Sequence, residues 1–142
     1  MKKIILSRIS FFIFLVLIDQ ISKYSIRYFG GFYICNTGIA WGMRMPEFWF
    51  LLLIVIILIG VFYLSLRKDD KNPSTGIALG LILAGGFSNF ADRIYFGCVI
   101  DFIDLKFWPI FNPADVFISI GGLVWIAEKL KIWYNFLKLK KN

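Results

Sequence analysis

Two aspartates, Asp101 and Asp115, lie where a carboxylate is costly, because the residues around them are almost all apolar. A charged side chain at the centre of a bilayer costs about 2.5–3.5 kcal/mol by insertion scales, so acids near apolar spans usually face a polar interior. Two carboxylates that share a proton can hydrolyse a peptide bond: the ionised acid activates water, and its protonated partner donates to the carbonyl and then to the leaving amine. We predict that these two aspartates form such a dyad, with the two roles left open because coupled acids titrate as a pair.

Each aspartate also has a purely structural interpretation, as a helix N-cap or as an interfacial acid that meets water. Asp115 precedes an apolar run, where it could cap a helix. We favour the chemical interpretation because the two acids occur together, beside amide side chains and between apolar flanks.

The chain that must position these acids has 142 residues, of which 59% are hydrophobic. Soluble domains have roughly 45–50%, so the composition predicts a membrane protein, and the length predicts a single domain over residues 1–142. The net charge of +7 does not indicate nucleic acid, because the lysines lie beside apolar runs. With no histidine and no zinc-like cysteine spacing, we expect no metal and no cofactor.

Four apolar stretches approach the roughly 20 residues that a spanning helix needs. They cover residues 4–26, 48–66, 76–91 and 116–137. We therefore predict an all-α integral membrane protein with four transmembrane helices. The connection 29–46 is rich in glycine and β-prone residues, which predicts a small extracytoplasmic β-like element, and residues 43–49 predict a short interfacial helix or lid.

The distribution of charge predicts the orientation. With both termini cytoplasmic, eleven of the 16 Lys and Arg residues lie inside, as the positive-inside rule requires. Six of the nine acidic residues, including Asp101 and Asp115, then lie at the outer face. The two cysteines, Cys35 and Cys98, fall on the same side, where a disulfide can form, although we favour two unpaired thiols there.

Five segments, in order along the chain, resemble the motifs of the lipoprotein signal peptidase family, signal peptidase II. They are DQISK at 19–23, NTGIAWG at 36–42, GGFSNFADR at 85–93, VIDFI at 99–103 and FNPAD at 111–115. The resemblance spans nearly the whole chain, and five ordered motifs are highly specific. Ser88 stands where the family usually has glycine, and the connection between Asp101 and Asp115 is short.

The resemblance implies a multi-pass aspartyl endopeptidase of the bacterial cytoplasmic (inner) membrane. Such an enzyme removes the signal peptide from diacylglyceryl-modified prolipoproteins by cleaving before the lipidated cysteine. Asp101 and Asp115 would be catalytic, and the expected partners are the lipidated precursor and membrane lipid, with the protein a monomer. Substrate-binding or supporting roles are implied for Asp19, Lys23, Asn36, Gly38, Ala40, Asn89, Asp92, Arg93, Asn112 and Ala114.

Asp92 is the rival for a catalytic role. Its neighbour Arg93 would tend to keep it ionised, and a permanently charged acid is a poor proton donor, although adjacent helix residues do not face each other. Asp19 and Lys23, four residues apart, predict an ion pair on one helix face. The resemblance also implies that Lys23 is free to reach phosphate or carbonyl groups at the membrane interface.

Two other functions stay open at the level of sequence. A small transporter or proton-conducting subunit would also carry membrane acids, but they should lie in mid-span, and the chain shows no inverted halves. A scaffold that binds other membrane proteins is suggested by the 19% aromatic content, and it should tolerate exchange of either aspartate for asparagine.

Overall fold

The computed structural model describes residues 2–38, 47–66 and 72–139, and in these ranges the protein is mainly helical. The helices are α1 (Lys2–Tyr28), α2 (Glu47–Leu66), α3 (Pro73–Phe96) and α4 (Pro113–Leu139). A short strand, β1 (Ile34–Asn36), lies between α1 and α2 in the chain, and a second, β2 (Val99–Asp101), lies between α3 and α4. Each predicted apolar stretch therefore forms a helix, and the predicted β-like element is present.

The third helix extends beyond the predicted range 76–91 at both ends. At its start Asn72 is the N-cap, and its side-chain oxygen accepts a hydrogen bond of 3.1 Å from the backbone N–H of Ser74. At its end Gly97, with a φ of 73°, donates its backbone N–H to the carbonyl of Arg93 at 3.0 Å. The polar residues near the end of α3 are therefore part of the helix.

Helix α3 is central and packs against the three other helices, most extensively against α4. Two glycines allow the close approach. A Cβ atom at Gly85 would collide with the carbonyl oxygen of Ala114, and one at Gly121 would lie 2.6 Å from the carbonyl oxygen of Ala78. The start of α4 is therefore held directly against the middle of α3.

Large apolar side chains are exposed along the helices, as expected of a protein that lies in lipid. Among the described residues, the helical segments Leu6–Tyr28 and Pro73–Phe96 are long and apolar enough to cross a membrane. The count of four spans stays a prediction. The predicted interfacial helix falls partly on residues 43–46, which lie outside the described ranges, and residues 47–49 belong to α2.

The two strands form an antiparallel ribbon at one end of the helices. The register places Ile34 opposite Asp101, Cys35 opposite Ile100 and Asn36 opposite Val99. Strand β2 is missing from the sequence prediction because three residues are too few for a recognisable alternation. A disulfide joins Cys35 to Cys98, so the favoured interpretation of two unpaired thiols is wrong: pairing of the strands brings their Cα atoms to 5.4 Å, a separation that a disulfide spans.

Candidate active site

The interior beside β2 is polar, although the outer surface of the helices is apolar. Asp19, Lys23, Asp92, Asp101 and Asn112 are each at most 2% exposed there. Because burial of an unpaired charge is very costly, each of these groups needs a partner. They form two adjoining groups, which we call the lysine cluster (Lys23, Asp19 and Asp92) and the amide cluster (Asp101, Asp115 and the asparagines that contact them).

Asp101 is the last residue of β2 and accepts two hydrogen bonds from asparagine side chains. The amide nitrogen of Asn36, on β1, donates to Asp101 Oδ2 at 2.9 Å. The amide nitrogen of Asn112 donates to Asp101 Oδ1 at 2.6 Å. The pairing of the two strands positions the first donor, and the start of α4 positions the second.

Asp115 lies in the first turn of α4 and forms a reciprocal cap with Asn112. The backbone N–H of Asp115 donates to Asn112 Oδ1 at 3.0 Å, while the backbone N–H of Asn112 donates to Asp115 Oδ2 at 3.1 Å. The helix cap is therefore Asn112, not Asp115. The other oxygen of Asp115, Oδ1, accepts a hydrogen bond of 2.8 Å from the amide nitrogen of Asn89 on α3.

Asn112 contacts both aspartates and is therefore the centre of the amide cluster. Its amide nitrogen donates to Asp101 and, at 3.1 Å, to the side-chain oxygen of Asn89. Its side-chain oxygen and its backbone N–H both bond to Asp115. One fully buried asparagine thus fixes the two carboxylates relative to each other.

The pKa of Asp101 is raised from 3.8 to about 6. Burial is the largest cause, because it penalises the charged form, and the negative charge of Asp115 acts in the same direction. The hydrogen bonds from Asn36 and Asn112 and the positive charge of Lys23 act against this rise. Near neutral pH this carboxyl group can therefore exchange a proton, which a dyad requires.

The lysine cluster has a different electrostatic character. Lys23 Nζ lies 2.6 Å from Asp19 Oδ2 and 2.8 Å from Asp92 Oδ2. It also donates to Asn89 Oδ1 at 2.9 Å, which joins the lysine cluster to the amide cluster. The predicted ion pair of Asp19 and Lys23 is confirmed, and Asp92 is a second partner of the same ammonium group.

One expectation about these charged residues is wrong. Lys23 does not reach toward lipid, because it is 2% exposed and its three N–H groups are directed at Asp19, Asp92 and Asn89. Asp92 is in contact with Lys23, and the charge of Arg93 acts on Asp92 as well. Arg93 donates to the backbone carbonyls of Asn89 at 3.3 Å and Gly38 at 3.2 Å.

Two further side chains, Gln20 and Ser88, belong to the lysine cluster's surroundings and were not assigned a role from sequence. The Gln20 amide donates to Ser88 Oγ at 2.9 Å and to Asp92 Oδ1 at 2.8 Å. The Ser88 hydroxyl donates to Asp19 Oδ2 at 2.7 Å. Both lie within the motifs at 19–23 and 85–93, and their polar character in apolar helices is the signal that could have indicated them.

The remaining predicted residues lie around these clusters, with one exception. Asp19 Oδ1 accepts the backbone N–H of Ala114 at 2.9 Å, which ties α1 to the start of α4. Gly38 donates its backbone N–H to Asn36 Oδ1 at 3.0 Å. Ala40 lies outside the described residues.

The arrangement can perform acid/base chemistry with the carboxylates of Asp101 and Asp115. The surroundings of these two carboxylates differ from those of the ion pair beside them. Each oxygen of Asp101 and Asp115 is bonded to an amide N–H. The positive charge of Arg93 also acts on both carboxylates, and that of Lys23 acts on Asp101. Among residues 2–38, 47–66 and 72–139 there is also no cluster of three or more Cys, Asp or Glu side chains suited to a metal ion. We therefore assign no residue to a metal or cofactor.

Comparison with known proteins gives one consistent result. Residues 11–131 match the sequence model of the family described as Signal peptidase (SPase) II. A lipoprotein signal peptidase of Thermodesulfovibrio yellowstonii is 37% identical over 145 aligned positions, which cover 89% of this chain and 97% of that protein. A lipoprotein signal peptidase of Syntrophomonas wolfei is 32% identical over 127 positions, which cover 80% of this chain and 85% of that protein. A solved structure described as a bacterial membrane enzyme superposes with a TM-score of 0.82 at 32% identity, covering 91% of this chain and 90% of that one.

The match extends over most of the chain in both sequence and fold, which favours the peptidase over the transporter and scaffold alternatives. The chain belongs to the signal peptidase II family of aspartic peptidases, which remove signal peptides from prolipoproteins.

Proposed function

We propose that Asp101 and Asp115 are the catalytic dyad of this peptidase. The observation that carries the proposal is the position of Asn112, whose side-chain amide donates to the carboxylate of Asp101 and whose backbone N–H donates to that of Asp115. A dyad needs two acids that are held together, buried from bulk water and free to share one proton. The raised pKa of Asp101, caused mainly by burial, supports that role.

The reaction then follows from one ionised and one protonated carboxyl group. The ionised group takes a proton from water as the water oxygen attacks the scissile carbonyl carbon. The protonated partner donates to the carbonyl oxygen, and a proton is then delivered to the leaving amine nitrogen. The two carboxylates titrate as a pair, so we assign the chemistry to the pair rather than a fixed role to each member.

Asp92 is not part of this proposal, because its oxygens are already committed to other partners. Oδ2 contacts Lys23 and accepts the backbone N–H of Ile100 at 3.3 Å, and Oδ1 accepts the Gln20 amide. We propose that Asp19, Lys23 and Asp92 instead hold α1, α3 and the start of α4 together under the dyad.

The asparagines and their neighbours have supporting roles in the proposal. Asn36, Asn89 and Asn112 orient the carboxylates through the hydrogen bonds described above. Arg93 fixes Gly38 through its backbone carbonyl, and Ala114 is fixed by Asp19. A substrate-binding role for Ala40 is carried over from the family resemblance alone.

The proposed substrate is a prolipoprotein whose cysteine carries a diacylglyceryl group, cleaved before that cysteine. Exposed apolar side chains such as Ile21 on α1 and Ile94 on α3 lie close in sequence to the site, which suits entry from the lipid. Each buried methylene of an acyl chain contributes about 0.8 kcal/mol, so even partial retention of two chains exceeds the contribution of one peptide hydrogen bond.

We propose a multi-pass domain over residues 1–142 in the bacterial inner membrane, acting as a monomer with both termini in the cytoplasm and the site at the extracytoplasmic face. The charge distribution supports this orientation. The disulfide beside Asp101 supports it independently, because disulfides persist outside the cytoplasm. Neither nucleic acid nor a cofactor is needed for the reaction.

The experiment is a gel-shift cleavage assay in liposomes with two precursors that differ only in the diacylglyceryl group. We expect wild-type protein to cleave the lipidated precursor at least tenfold faster in kcat/KM than the unmodified one. The Asp115→Asn variant, which we expect to be inactive, serves as the negative control for cleavage. Equal cleavage of the two precursors would contradict the lipid specificity, and cleavage of neither would contradict the proposed reaction.

A further inference from the structure

The two strands at the site differ in how firmly they are held. Strand β2 is buried, and its residue Ile100 donates its backbone N–H to Asp92 on α3. The two residues after β2, Phe102 and Ile103, donate their N–H groups to the carbonyl of Phe111 at 3.1 and 2.8 Å. Strand β1 is largely exposed at Ile34 and Cys35. An isolated two-stranded ribbon is at best marginally stable, so β1 needs additional attachment to β2.

The Cys35–Cys98 disulfide provides a covalent attachment at that place. Cys98, 2% exposed, directly precedes β2, and Cys35 is the middle residue of β1. The next residue of β1 is Asn36, which donates to Asp101. The covalent bond is therefore one residue away from a hydrogen-bond donor to a proposed catalytic carboxylate.

We propose that the Cys35–Cys98 disulfide is a positioning element of the active site. It fixes β1 on β2 so that Asn36 stays hydrogen-bonded to Asp101. Peptide cleavage therefore depends on oxidation of these two cysteines. The inference rests on the proposed role of Asp101. It assigns a function to a pair of residues that the reaction itself does not use.

The disulfide must be formed by a two-electron oxidation. The class of oxidant is a disulfide-carrying oxidoreductase outside the cytoplasm. One cysteine thiolate attacks the oxidant's disulfide to form a mixed disulfide, and the second thiolate displaces it, so the oxidant leaves as a dithiol with two electrons and two protons from the cysteines. Cys35 is the exposed member of the pair, so exchange reaches the bond from β1.

Loss of the covalent bond should change the chemistry at Asp101 in a defined direction. The Asn36 hydrogen bond favours the ionised carboxylate, so its loss raises the pKa of Asp101 further. The charged groups around this carboxylate are Lys23 of α1, Asp92 and Arg93 of α3 and Asp115 of α4, and reduction changes the covalent structure of none of them. The pH profile therefore reports on the Asn36 contact.

The test uses full-length protein, folded and oxidised, in detergent micelles. Treatment with a phosphine reductant is followed by a count of free thiols, and cleavage of lipidated precursor is measured across pH. We expect reduction to lower kcat/KM at neutral pH by about tenfold and to move the limb of the profile that belongs to Asp101 upward by about one pH unit. Thermal unfolding is measured before and after reduction, so that activity is compared only where the reduced protein is still folded. An unchanged kcat/KM, or a lower value with the limb unmoved, would overturn the inference.

Two variants identify the route of the effect. Cys35→Ser/Cys98→Ser should match the reduced wild type and should not respond to the reductant. Oxidised Asn36→Ala should already show the displaced limb, and reduction should move it no further. An equal further displacement in Asn36→Ala would show that the disulfide acts through another contact and would overturn the inference.

Asp101→Asn separates this inference from the proposed function. If oxidised Asp101→Asn cleaves like wild type, the dyad fails and the inference fails with it. If Asp101→Asn is inactive while reduction leaves the wild-type profile unchanged, the dyad stands and only the role of the disulfide is overturned.

Discussion

Four aspartates at the site form two pairs that differ in the group shared by each pair. Asp19 and Asp92 share an ammonium group, that of Lys23, at 2.6 and 2.8 Å. Asp101 and Asp115 share a neutral amide residue, Asn112. A cation stabilises the charged form of a carboxylate. At Asp101, burial outweighs the opposite effect of the amide hydrogen bonds and raises the pKa to about 6. The same residue type therefore serves structure in one pair and, as we propose, chemistry in the other.

The difference also explains why the two pairs adjoin. Asn89 accepts a hydrogen bond from Lys23 and from Asn112, and it donates to Asp115. The lysine cluster thus orients an amide that in turn orients a carboxylate of the proposed dyad. We expect substitutions in the amide cluster to affect turnover most, and substitutions in the lysine cluster to affect stability most.

The largest expected effect is a loss of turnover when either Asp101 or Asp115 is replaced by asparagine. Asp101→Asn and Asp115→Asn each remove a carboxyl group that a shared proton requires, and we expect kcat to fall by about 10³-fold or more while substrate is still bound. Cleavage and retention of lipidated precursor are measured on protein whose thermal unfolding matches wild type. Near-normal kcat in either variant would contradict the proposed catalytic role of Asp101 and Asp115.

The next effect is on stability, from Lys23→Met. This change leaves two carboxylates buried without their cation, and we expect the free energy of unfolding to fall by about 3–5 kcal/mol, measured by thermal or denaturant unfolding in detergent. Lys106→Met is the matched control, because Lys106 also pairs with an aspartate, Asp104 at 2.7 Å, but its side chain is 87% exposed. We expect no measurable change in the control.

A second substitution sharpens that result. Adding Asp92→Asn to Lys23→Met removes one of the two stranded charges, so part of the lost stability should return. If the double variant is as unstable as the sum of two independent losses, Lys23 does not act through this carboxylate.

A smaller loss of stability is expected from Gly85→Ala, which tests the support of the amide cluster by α3. The new methyl group would meet the carbonyl of Ala114, next to Asp115, and we expect a loss of about 1–3 kcal/mol together with a lower kcat. Gly122→Ala is the control, because nothing lies within 4 Å of a Cβ atom there. Equal behaviour of the two variants would show that close approach of α3 and α4 does not position the dyad.

The smallest effect is a shift along the pH axis. Burial, with the charge of Asp115, raises the pKa of Asp101 to about 6, so this group loses its proton as pH rises through that value. We expect one limb of kcat/KM near pH 6. Cleavage that falls above it identifies Asp101 as the proton holder, and cleavage that rises identifies it as the base. The same raised pKa means that the stability contributed by this group, present below its usual value of 3.8, is lost as pH rises through about 6, a loss that Asp101→Asn should abolish. A profile without a limb in this range would contradict the assignment.

The helices were predictable because lipid-soluble runs of about 20 residues have few alternatives to a helix. The ends of α3 were harder, since Asp92 and Arg93 interrupt the apolar run before the helix ends and the caps at Asn72 and Gly97 lie outside that run. A strand as short as β2 carries no periodic signal, and its partner β1 lies more than 60 residues away, at a separation of 63 between the two bonded cysteines. Pairing of Cys35 with Cys98 therefore depends on the ribbon and was missed.

At the site, the residue types were predictable but the partners were not. The interpretation of Lys23 as a cation that reaches the membrane interface came from the family resemblance, and it is wrong because Asp92 and Asn89 approach from α3. The position of Asn112 between two aspartates depends on the contact of β2 with the start of α4. Such contacts between distant parts of the chain have no signature in local spacing.

The most direct test of the difference between the two pairs is cleavage of lipidated precursor by folded Asp92→Asn, measured beside folded Asp101→Asn. Both changes remove one buried carboxylate charge and nearly preserve its shape. We predict that Asp92→Asn keeps measurable turnover with reduced stability, and that Asp101→Asn has none. An inactive but fully folded Asp92→Asn, together with an active Asp101→Asn, would contradict the assignment and move the chemistry to the lysine cluster.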